Sequence, residues 1–339
     1  MKSVVILSTI LSAVVVTAEP VPFADPFILY DGGQYYAYGT HSPSGIAVMV
    51  SDDLRTWHAP DGTANTEYLA LNKEDSYGED KFWAPEVYRI GDKYLMYYAA
   101  GRRLCVASSS SPVGPFRQAK KEPIGGVPTD TADSTVDSHL FRDDDGKAYL
   151  FWASFNWSGK GGVTQNGASN GAIWMAELVP DFQNVQAGTA HKIAEPIQPW
   201  ELKCDRVNEG PFVIKHGGVY YLTYSGNGFT SPLYGVGYAT AKDINGPWTK
   251  SVDNPILQSP DKLRGTAHHA IFSDRDGKLR IVFHSHNSLS NVHPRIMHIG
   301  TCAFEMQEGE PDRLVVGKGS IFTPSVRSLQ YLTALPAPE

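Results

Sequence analysis

Short runs of apolar residues, interrupted by glycine turns, follow one another along the chain. Residues 207–226 show the pattern most clearly: Glu209 precedes Gly210 and Pro211, an apolar run follows, and a His-Gly-Gly turn leads into an alternating aromatic strand. This order predicts a β-hairpin with a carboxylate at its mouth. Four other segments repeat the order of strand, glycine turn and strand: residues 24–40, 84–100, 137–154 and 268–286.

Each hairpin is followed by another apolar half-hairpin, so one supersecondary unit recurs along the chain. Recurrence of a unit of roughly four antiparallel strands is typical of a β-propeller. We therefore predict an all-β chain that folds as one five-bladed β-propeller over residues 19–325, with a C-terminal tail at residues 326–339. The turn glycines are unevenly spaced, which indicates insertions between strands. An irregular β-sandwich of similar length is the alternative.

The N-terminus has the order of a signal peptide. Lys2 is followed by an apolar run and then by small residues up to Ala18, which suit cleavage before Glu19. We predict that residues 1–18 are a signal peptide and that the mature chain is secreted or periplasmic. The alternative is a single N-terminal anchor, but the apolar run is shorter than the roughly 20 residues that span a bilayer. No membrane association is expected once the segment is removed.

Charge and cysteine content narrow the classes of function. The formal net charge of −7 is spread along 339 residues without acidic or basic blocks, so neither nucleic acid nor another polyanion is an expected partner. The three cysteines, Cys105, Cys204 and Cys302, are an odd number and do not make a disulfide framework. Buried packing is their expected role, and a bridge between two of them stays open.

Acidic residues recur at the start of the predicted innermost strands. In a propeller these strands run along the central channel, so residues at the same end of each strand converge on one axial pocket. The residues at this position are Asp25, residues 83–86, Asp137, Glu209 and His268. Carboxyl groups gathered in a low-dielectric pocket raise the pKa of at least one of them. A protonated carboxyl beside an ionised one can serve as acid and base, which is the chemistry of glycoside hydrolysis.

With these motifs the chain resembles the glycoside hydrolases of family 43, five-bladed propeller enzymes that act on arabinofuranosyl and xylosyl linkages. The resemblance covers nearly the whole mature chain and implies three roles. Asp25, in the sequence ADP, would be the general base; Asp137, in VDS, would orient the acid and adjust its pKa; Glu209, in NEGP, would be the general acid. Each motif alone is also typical of a structural turn, so their joint placement carries the assignment. Ser138 departs from the proline that many members have after the second aspartate.

The resemblance also implies a role for two further residues. His268 matches the histidine of the central channel, which contacts a water molecule or a calcium ion, and Arg295 matches an arginine that reaches the sugar and the acid pair. His269 follows directly, so the sequence does not show which of the two histidines faces the channel. A single histidine does not define a calcium site, since calcium prefers several oxygen ligands. The resemblance implies that no cofactor is required, and the metal that it suggests is calcium in the central channel.

Aromatic residues near the predicted pocket are candidates for substrate binding, because an exposed ring can stack on the apolar face of a sugar. Trp83 lies at the mouth of the second inner strand. Phe27 and Trp200 are further candidates, for which a place in the propeller core is the alternative.

Together these observations predict an exported, inverting glycoside hydrolase that removes α-L-arabinofuranosyl or β-D-xylosyl residues from plant polysaccharides or oligosaccharides. A β-galactofuranosidase or galactosidase of the same fold is one alternative. A non-catalytic sugar-binding propeller is another, although a lectin gains nothing from three converging carboxyl groups. Exo or endo action depends on the loops around the channel and stays open. Residues 284–295, which are rich in histidine and close to the predicted pocket, resemble arabinofuranosidase-like members.

Overall fold

The structure is a computed structural model that describes residues 14–129, 132–156 and 170–331. After a first strand, β1 (Val14–Pro20), these residues form five antiparallel blades. Blade I contains β2 (Ala24–Asp31), β3 (Gln34–Ser42), β4 (Gly45–Ser51) and β6 (Leu69–Asn72), with the short strand β5 (Thr56–Trp57) before the last of them. Blade II contains β7 (Trp83–Ile90), β8 (Lys93–Ala100) and β9 (Arg103–Ser109).

The remaining blades follow in chain order. Blade III contains β10 (Ser134–Arg142), β11 (Ala148–Asn156), β12 (Asn170–Glu177) and β13 (His191–Ala194). Blade IV contains β14 (Arg206–His216), β15 (Val219–Gly226), β16 (Gly235–Ala241), β17 (Thr249–Lys250) and β18 (Leu257–Gln258). Blade V contains β19 (Ala267–Ser273), β20 (Leu279–Ser285), β21 (Ile296–Glu305) and β22 (Arg313–Phe322). Short 3-10 helices lie at Lys73–Asp75 and Pro199–Leu202.

The blades close into a ring around a central axis. The first strands contact one another in cyclic order, with β2 against β7, β7 against β10, β10 against β14, β14 against β19, and β19 back against β2. The predicted five-bladed propeller is therefore confirmed, and the sandwich alternative is excluded. Blade II departs from the four-strand pattern: its outer position is taken by an isolated bridge between Ser108 and Arg117.

The first strand of every blade is bent by a β-bulge at the same place. In each case the register with the second strand shifts near the start of the strand. One residue within each shift has a positive φ: Asp25 (48°), Ala84 (45°), Asp137 (60°), Gly210 (53°) and His268 (46°). Such a conformation costs a non-glycine residue on the order of 1–3 kcal/mol, so the surrounding fold must hold it in place. The start of each inner strand therefore departs from regular pairing in the same way.

The core lies between the blades. Strands in the middle of a blade are covered on both faces by neighbouring blades, so they are apolar almost throughout, as in β4 with all seven residues buried. Trp57, Tyr98 and Trp152 are among the largest fully buried side chains. The packed blades leave a space along the axis that is open at one end, and this space holds the candidate site.

The two ends of the described chain pair with each other outside the blades. β1 runs antiparallel to β23 (Ser325–Tyr331), which also pairs in parallel with β5. The stretch expected to begin a tail at residue 326 is therefore a strand as far as Tyr331, and residues 332–339 lie outside the described residues. Residues 1–13 of the predicted signal peptide also lie outside them, so the division of the chain at residues 18 and 325 stays a prediction.

The cysteines correct one expectation. All three are free thiols, so no pair is bridged. Cys105 and Cys302 are buried, as predicted, but Cys204 is exposed. It lies in the segment that leads from the second 3-10 helix to β14, and its Sγ accepts the hydroxyl of Ser231 at 3.1 Å.

Candidate active site

A cavity of about 720 Å³ opens at the end of the axis where the inner strands begin. Its walls are built from the bent starts of those strands and from loops that connect strands within the blades. Six of the residues predicted from the sequence line it together: Asp25, Trp83, Asp137, Glu209, His268 and Arg295. The three carboxyl groups thus come from blades I, III and IV and share one space, as the propeller geometry requires.

Asp25 is held in its ionised form by cationic and imidazole neighbours. Arg295 donates from Nη1 to Oδ1 at 2.8 Å and from Nη2 to Oδ2 at 3.4 Å. The Nδ1 atom of His268 lies 3.2 Å from Oδ1, and the backbone N–H of Asp25 donates to Nδ1 of His284 at 3.0 Å. Burial raises the pKa of Asp25, but Arg295, His268 and His284 together hold it well below its ordinary value. The carboxyl group of Asp25 therefore stays ionised at a lower pH than an ordinary aspartate does.

Glu209 has the opposite protonation. It precedes the bulge residue Gly210 on β14, and its Oε1 accepts a hydrogen bond from the hydroxyl of Tyr234 at 2.6 Å. Burial and the nearby charge of Asp25 raise the pKa of Glu209 to about 7, although Tyr234 and Arg295 act to lower it. A carboxylic acid with this pKa still carries its proton at mildly acidic pH and can donate it to a leaving group.

Asp137 also retains a proton more strongly than an ordinary aspartate. Its Oδ2 accepts the backbone N–H of Gly210 at 3.2 Å, which ties it to the strand that carries Glu209. Burial, and then the charges of Glu209 and Asp25, raise its pKa well above the ordinary value. Asp137 and Glu209 therefore titrate as an interacting pair, and the pair holds a proton at a pH where isolated carboxyl groups have lost theirs.

The two adjacent histidines have different surroundings. His268 lines the cavity and contacts Asp25, whereas Nε2 of His269 lies 2.6 Å from the hydroxyl of Thr223, away from the cavity. Of the two histidines, His268 is the one that lines the cavity. Burial lowers the pKa of His268, which favours the neutral ring.

The donors around His268 do not fit a calcium ion. Calcium takes six to eight oxygen ligands, whereas Nδ1 of His268 faces an Asp25 carboxylate that is already paired with the Arg295 guanidinium. Within residues 14–129, 132–156 and 170–331, no group of three or more His, Cys, Asp or Glu side chains is arranged to hold a metal ion.

The three aromatic candidates separate in the structure. Trp83 is partly buried and lines the cavity, where a sugar ring could pack on it. Phe27 does not line the cavity: it is 6% exposed, and its ring centre lies 5.5 Å from that of Tyr88, which agrees with the alternative of a place in the propeller core. Trp200 is likewise outside the cavity and stacks on Tyr224 at 6.2 Å. Both rings belong to the packing between strands.

Loops supply cavity residues that the strand pattern did not indicate. Phe229, in the loop between β15 and β16, is 38% exposed, and the Arg295 guanidinium lies 4.9 Å from its ring centre. His293, in the loop between β20 and β21, lies 6.1 Å from the same ring. The histidine-rich segment noted in the sequence thus does reach the site. Asp205 and Tyr234 were also missed, because both lie in loops, where no alternation of apolar and polar residues marks a functional side chain.

Comparisons with known proteins agree with this geometry. The family model described as glycosyl hydrolases family 43 matches residues 18–307. The chain is 30% identical over 281 residues to an extracellular exo-alpha-(1->5)-L-arabinofuranosidase of Streptomyces avermitilis, covering 78% of this chain and 54% of that protein. It is 27% identical over 281 residues to a beta-D-galactofuranosidase of Aspergillus niger, covering 77% and 73%.

A solved structure is also similar over nearly its whole length. An endo-1,4-beta-xylanase from Bacteroides thetaiotaomicron is 36% identical, with a TM-score of 0.80, and the match covers 92% of this chain and 99% of that one. By contrast, the chain spans about half the length of the Streptomyces relative. The similarity therefore covers the propeller, and it does not extend over the whole of every relative.

Proposed function

Because the chain belongs to the glycosyl hydrolases family 43, we propose that it is an inverting glycosidase in which Glu209 is the general acid and Asp25 is the general base. The observation that carries the proposal is the contrast between the partners of two carboxyl groups in one cavity: Asp25 pairs with the Arg295 guanidinium at 2.8 Å, whereas Glu209 accepts the neutral hydroxyl of Tyr234 at 2.6 Å. Arg295 and two histidines keep Asp25 ionised, while burial and the charge of Asp25 keep a proton on Glu209. Acid and base catalysis of one displacement needs this division.

The reaction follows from the two protonation states. The Glu209 carboxyl gives its proton to the glycosidic oxygen as the bond from that oxygen to the anomeric carbon breaks. On the opposite face a water molecule attacks the anomeric carbon, and the Asp25 carboxylate takes the proton that the water loses. Glu209 ends ionised and Asp25 ends protonated, and exchange of protons with solvent restores both. Asp137 contacts the substrate in neither step; it adjusts the pKa of Glu209 and holds the Gly210 amide.

We infer the substrate class from the relatives. Removal of α-L-arabinofuranosyl or β-D-xylosyl residues from plant polysaccharides or oligosaccharides fits an arabinofuranosidase relative and a xylanase relative. A β-D-galactofuranosidase is the second candidate, and it is supported by the Aspergillus relative, which matches 73% of its own length. A lectin is less favoured, because buried, oppositely protonated carboxyl groups serve proton transfer and not sugar binding.

We also propose that the protein is exported and acts on carbohydrate outside the cytoplasm. The N-terminal sequence supports this proposal, as does the extracellular location in the name of the Streptomyces relative. None of the helices among the described residues is long and apolar enough to cross a membrane. The dispersed charge gives no reason to expect nucleic acid as a partner.

The proposal is tested with four aryl glycosides: α-L-arabinofuranoside, β-D-xyloside, β-D-galactofuranoside and β-D-galactoside. The anomer of the first product is followed by NMR. Hydrolysis of the arabinofuranoside or xyloside with inversion is the expected result, and hydrolysis of the galactofuranoside alone would select the second candidate. Retention of configuration would refute the roles given to Asp25 and Glu209. Absence of hydrolysis of all four would refute the proposed substrate class.

A further inference from the structure

Tyr234 contacts the proposed general acid from a fully buried position. Its side chain is 0% exposed, and its hydroxyl donates to Oε1 of Glu209 at 2.6 Å. The residue lies just before β16, in a loop fixed from inside, because the side-chain amide of Asn227 donates to the carbonyl oxygens of Trp200 and Leu233. The hydroxyl is therefore held at one place relative to the carboxyl group.

The direction of this hydrogen bond is determined by the surroundings of the phenol. Burial and the neighbouring carboxyl groups of Glu209, Asp25 and Asp137 raise the pKa of Tyr234 well above its ordinary value. The phenol therefore keeps its proton at a pH at which a free tyrosine would lose it, and the hydroxyl donates to Oε1 of Glu209. In a neutral carboxyl the carbonyl oxygen is the stronger acceptor, and the other oxygen carries the proton. Since Oε1 accepts from Tyr234, the proton of Glu209 belongs on Oε2.

We propose that Tyr234 is a positioning residue that assigns the transferable proton of Glu209 to Oε2, the oxygen left to face the leaving group. The inference rests on the proposed function, because it takes Glu209 to be the acid. The Tyr234 ring also lies 5.8 Å from the His284 ring at 30°, and His284 accepts the backbone N–H of Asp25. One side chain thus contacts both the acid and the residue that supports the base.

The hydroxyl has a second effect, on the acidity of Glu209. A donor bonded to a carboxyl group stabilises the ionised form more than the neutral form. Tyr234 therefore lowers the pKa of Glu209, whereas burial raises it. Charged and titratable groups share the cavity with Glu209: Asp25 on β2, His41 on β3, Arg102 between β8 and β9, Asp137 on β10, Asp205 before β14, His268 on β19, and His293 and Arg295 between β20 and β21. Of these, Asp25 and Asp205 raise its pKa and Arg295 lowers it. Removing the hydroxyl leaves all of them in place.

The test is Tyr234→Phe, which removes one oxygen atom and keeps the ring. The alkaline limb of the kcat/KM profile should move to higher pH, because ionised Glu209 loses a donor. At the pH optimum, hydrolysis of a natural glycoside should fall at least roughly tenfold, while hydrolysis of a dinitrophenyl glycoside, which leaves without protonation, should fall much less. Equal losses on both substrates, or a limb that stays or moves to lower pH, would overturn the proposal.

Tyr221→Phe is the matched control. Tyr221 is 1% exposed in the same blade, and its hydroxyl donates to the carbonyl oxygen of Asp312 at 2.8 Å, outside the cavity. Removal of the Tyr221 hydroxyl should lower stability about as much as removal of the Tyr234 hydroxyl does, and it should leave the alkaline limb of the kcat/KM profile unchanged. As a reciprocal change, 3-fluorotyrosine at position 234 is a stronger donor and should move the limb to lower pH. A shift in the same direction as Tyr234→Phe would contradict the assignment.

A measurement without substrate separates this inference from the proposed function. Glutamate labelled with carbon-13 at its carboxyl is incorporated, and the Glu209 signal is identified by its loss in Glu209→Gln. Its titration midpoint should be higher in Tyr234→Phe than in the native protein. If no glycoside is hydrolysed but the midpoint rises, the proposed function fails and the hydrogen-bond effect stands. If the midpoint does not rise, the positioning role fails whatever the substrate.

Discussion

The roles of Glu209 and Asp25 can be separated by the quality of the leaving group. A general acid helps in proportion to how poorly the group leaves, whereas a general base activates the attacking water in every case. Glu209→Ala should therefore lose most of its rate on a natural glycoside and keep much of it on a dinitrophenyl glycoside. Asp25→Ala should fail on both substrates.

The expected size follows from the protonation of the two groups. General acid or base catalysis typically contributes about 10²- to 10⁴-fold, or about 3–5 kcal/mol of barrier. Burial raises the pKa of Glu209 to about 7, so about ten molecules are protonated for each ionised one at pH 6, and the ratio is inverted at pH 8. The native enzyme should accordingly lose roughly tenfold in rate between pH 6 and pH 8 on a natural glycoside. Glu209→Ala should not show this decline.

The assay measures initial rates of native protein and both variants on the two substrates from about pH 5 to pH 8. Asp143→Ala serves as a control, because Asp143 pairs with Lys215 at 2.6 Å outside the cavity and its loss should leave both rates unchanged. Thermal unfolding of each variant establishes that it is folded at the assay temperature. If Asp25→Ala were rescued by the better leaving group and Glu209→Ala were not, the two roles would be reversed.

Three further predictions follow from the same contacts. Asp137→Asn should move the alkaline limb of the pH–rate profile to lower pH, because Asp137 and Glu209 titrate as one pair in which each carboxylate disfavours ionisation of the other, and the variant removes one member of the pair; an unchanged limb would refute that role. In a crystal structure with bound sugar, the carboxyl groups of Asp25 and Glu209 should be roughly 6.5–9.5 Å apart, and a separation of about 5 Å would indicate retention. Lys250→Met should lower the free energy of unfolding by about 3–5 kcal/mol in urea denaturation, because it leaves the fully buried carboxylate of Glu201 unpaired. Adding Glu201→Gln should recover part of the loss, and a single variant as stable as the native protein would show that the pair is not stabilising.

Local patterns in the sequence were sufficient for the architecture. Alternating apolar residues and glycine turns are properties of neighbouring residues, so five hairpins could be predicted without knowledge of the fold. The turn glycines named by that pattern have positive φ in the structure, as Gly146 and Gly217 show at 88° and 57°. Because the inner strands of a propeller meet at one axis, the pattern also brought Asp25, Asp137 and Glu209 together. The pattern did not show that Phe27 is buried, since one strand alone does not reveal which of its faces the neighbouring strands cover.

The sequence by itself thus determined the strands, the number of blades and which carboxyl groups share the cavity. Only the tertiary structure decided their protonation, because that depends on groups remote in the chain: Arg295 pairs with Asp25 across 270 positions. It likewise decided that His268 and not His269 faces the base, and that Tyr234 contacts the acid from a loop. Long-range contacts such as these set desolvation and charge at a buried site, and neither quantity can be obtained from the identity of neighbouring residues.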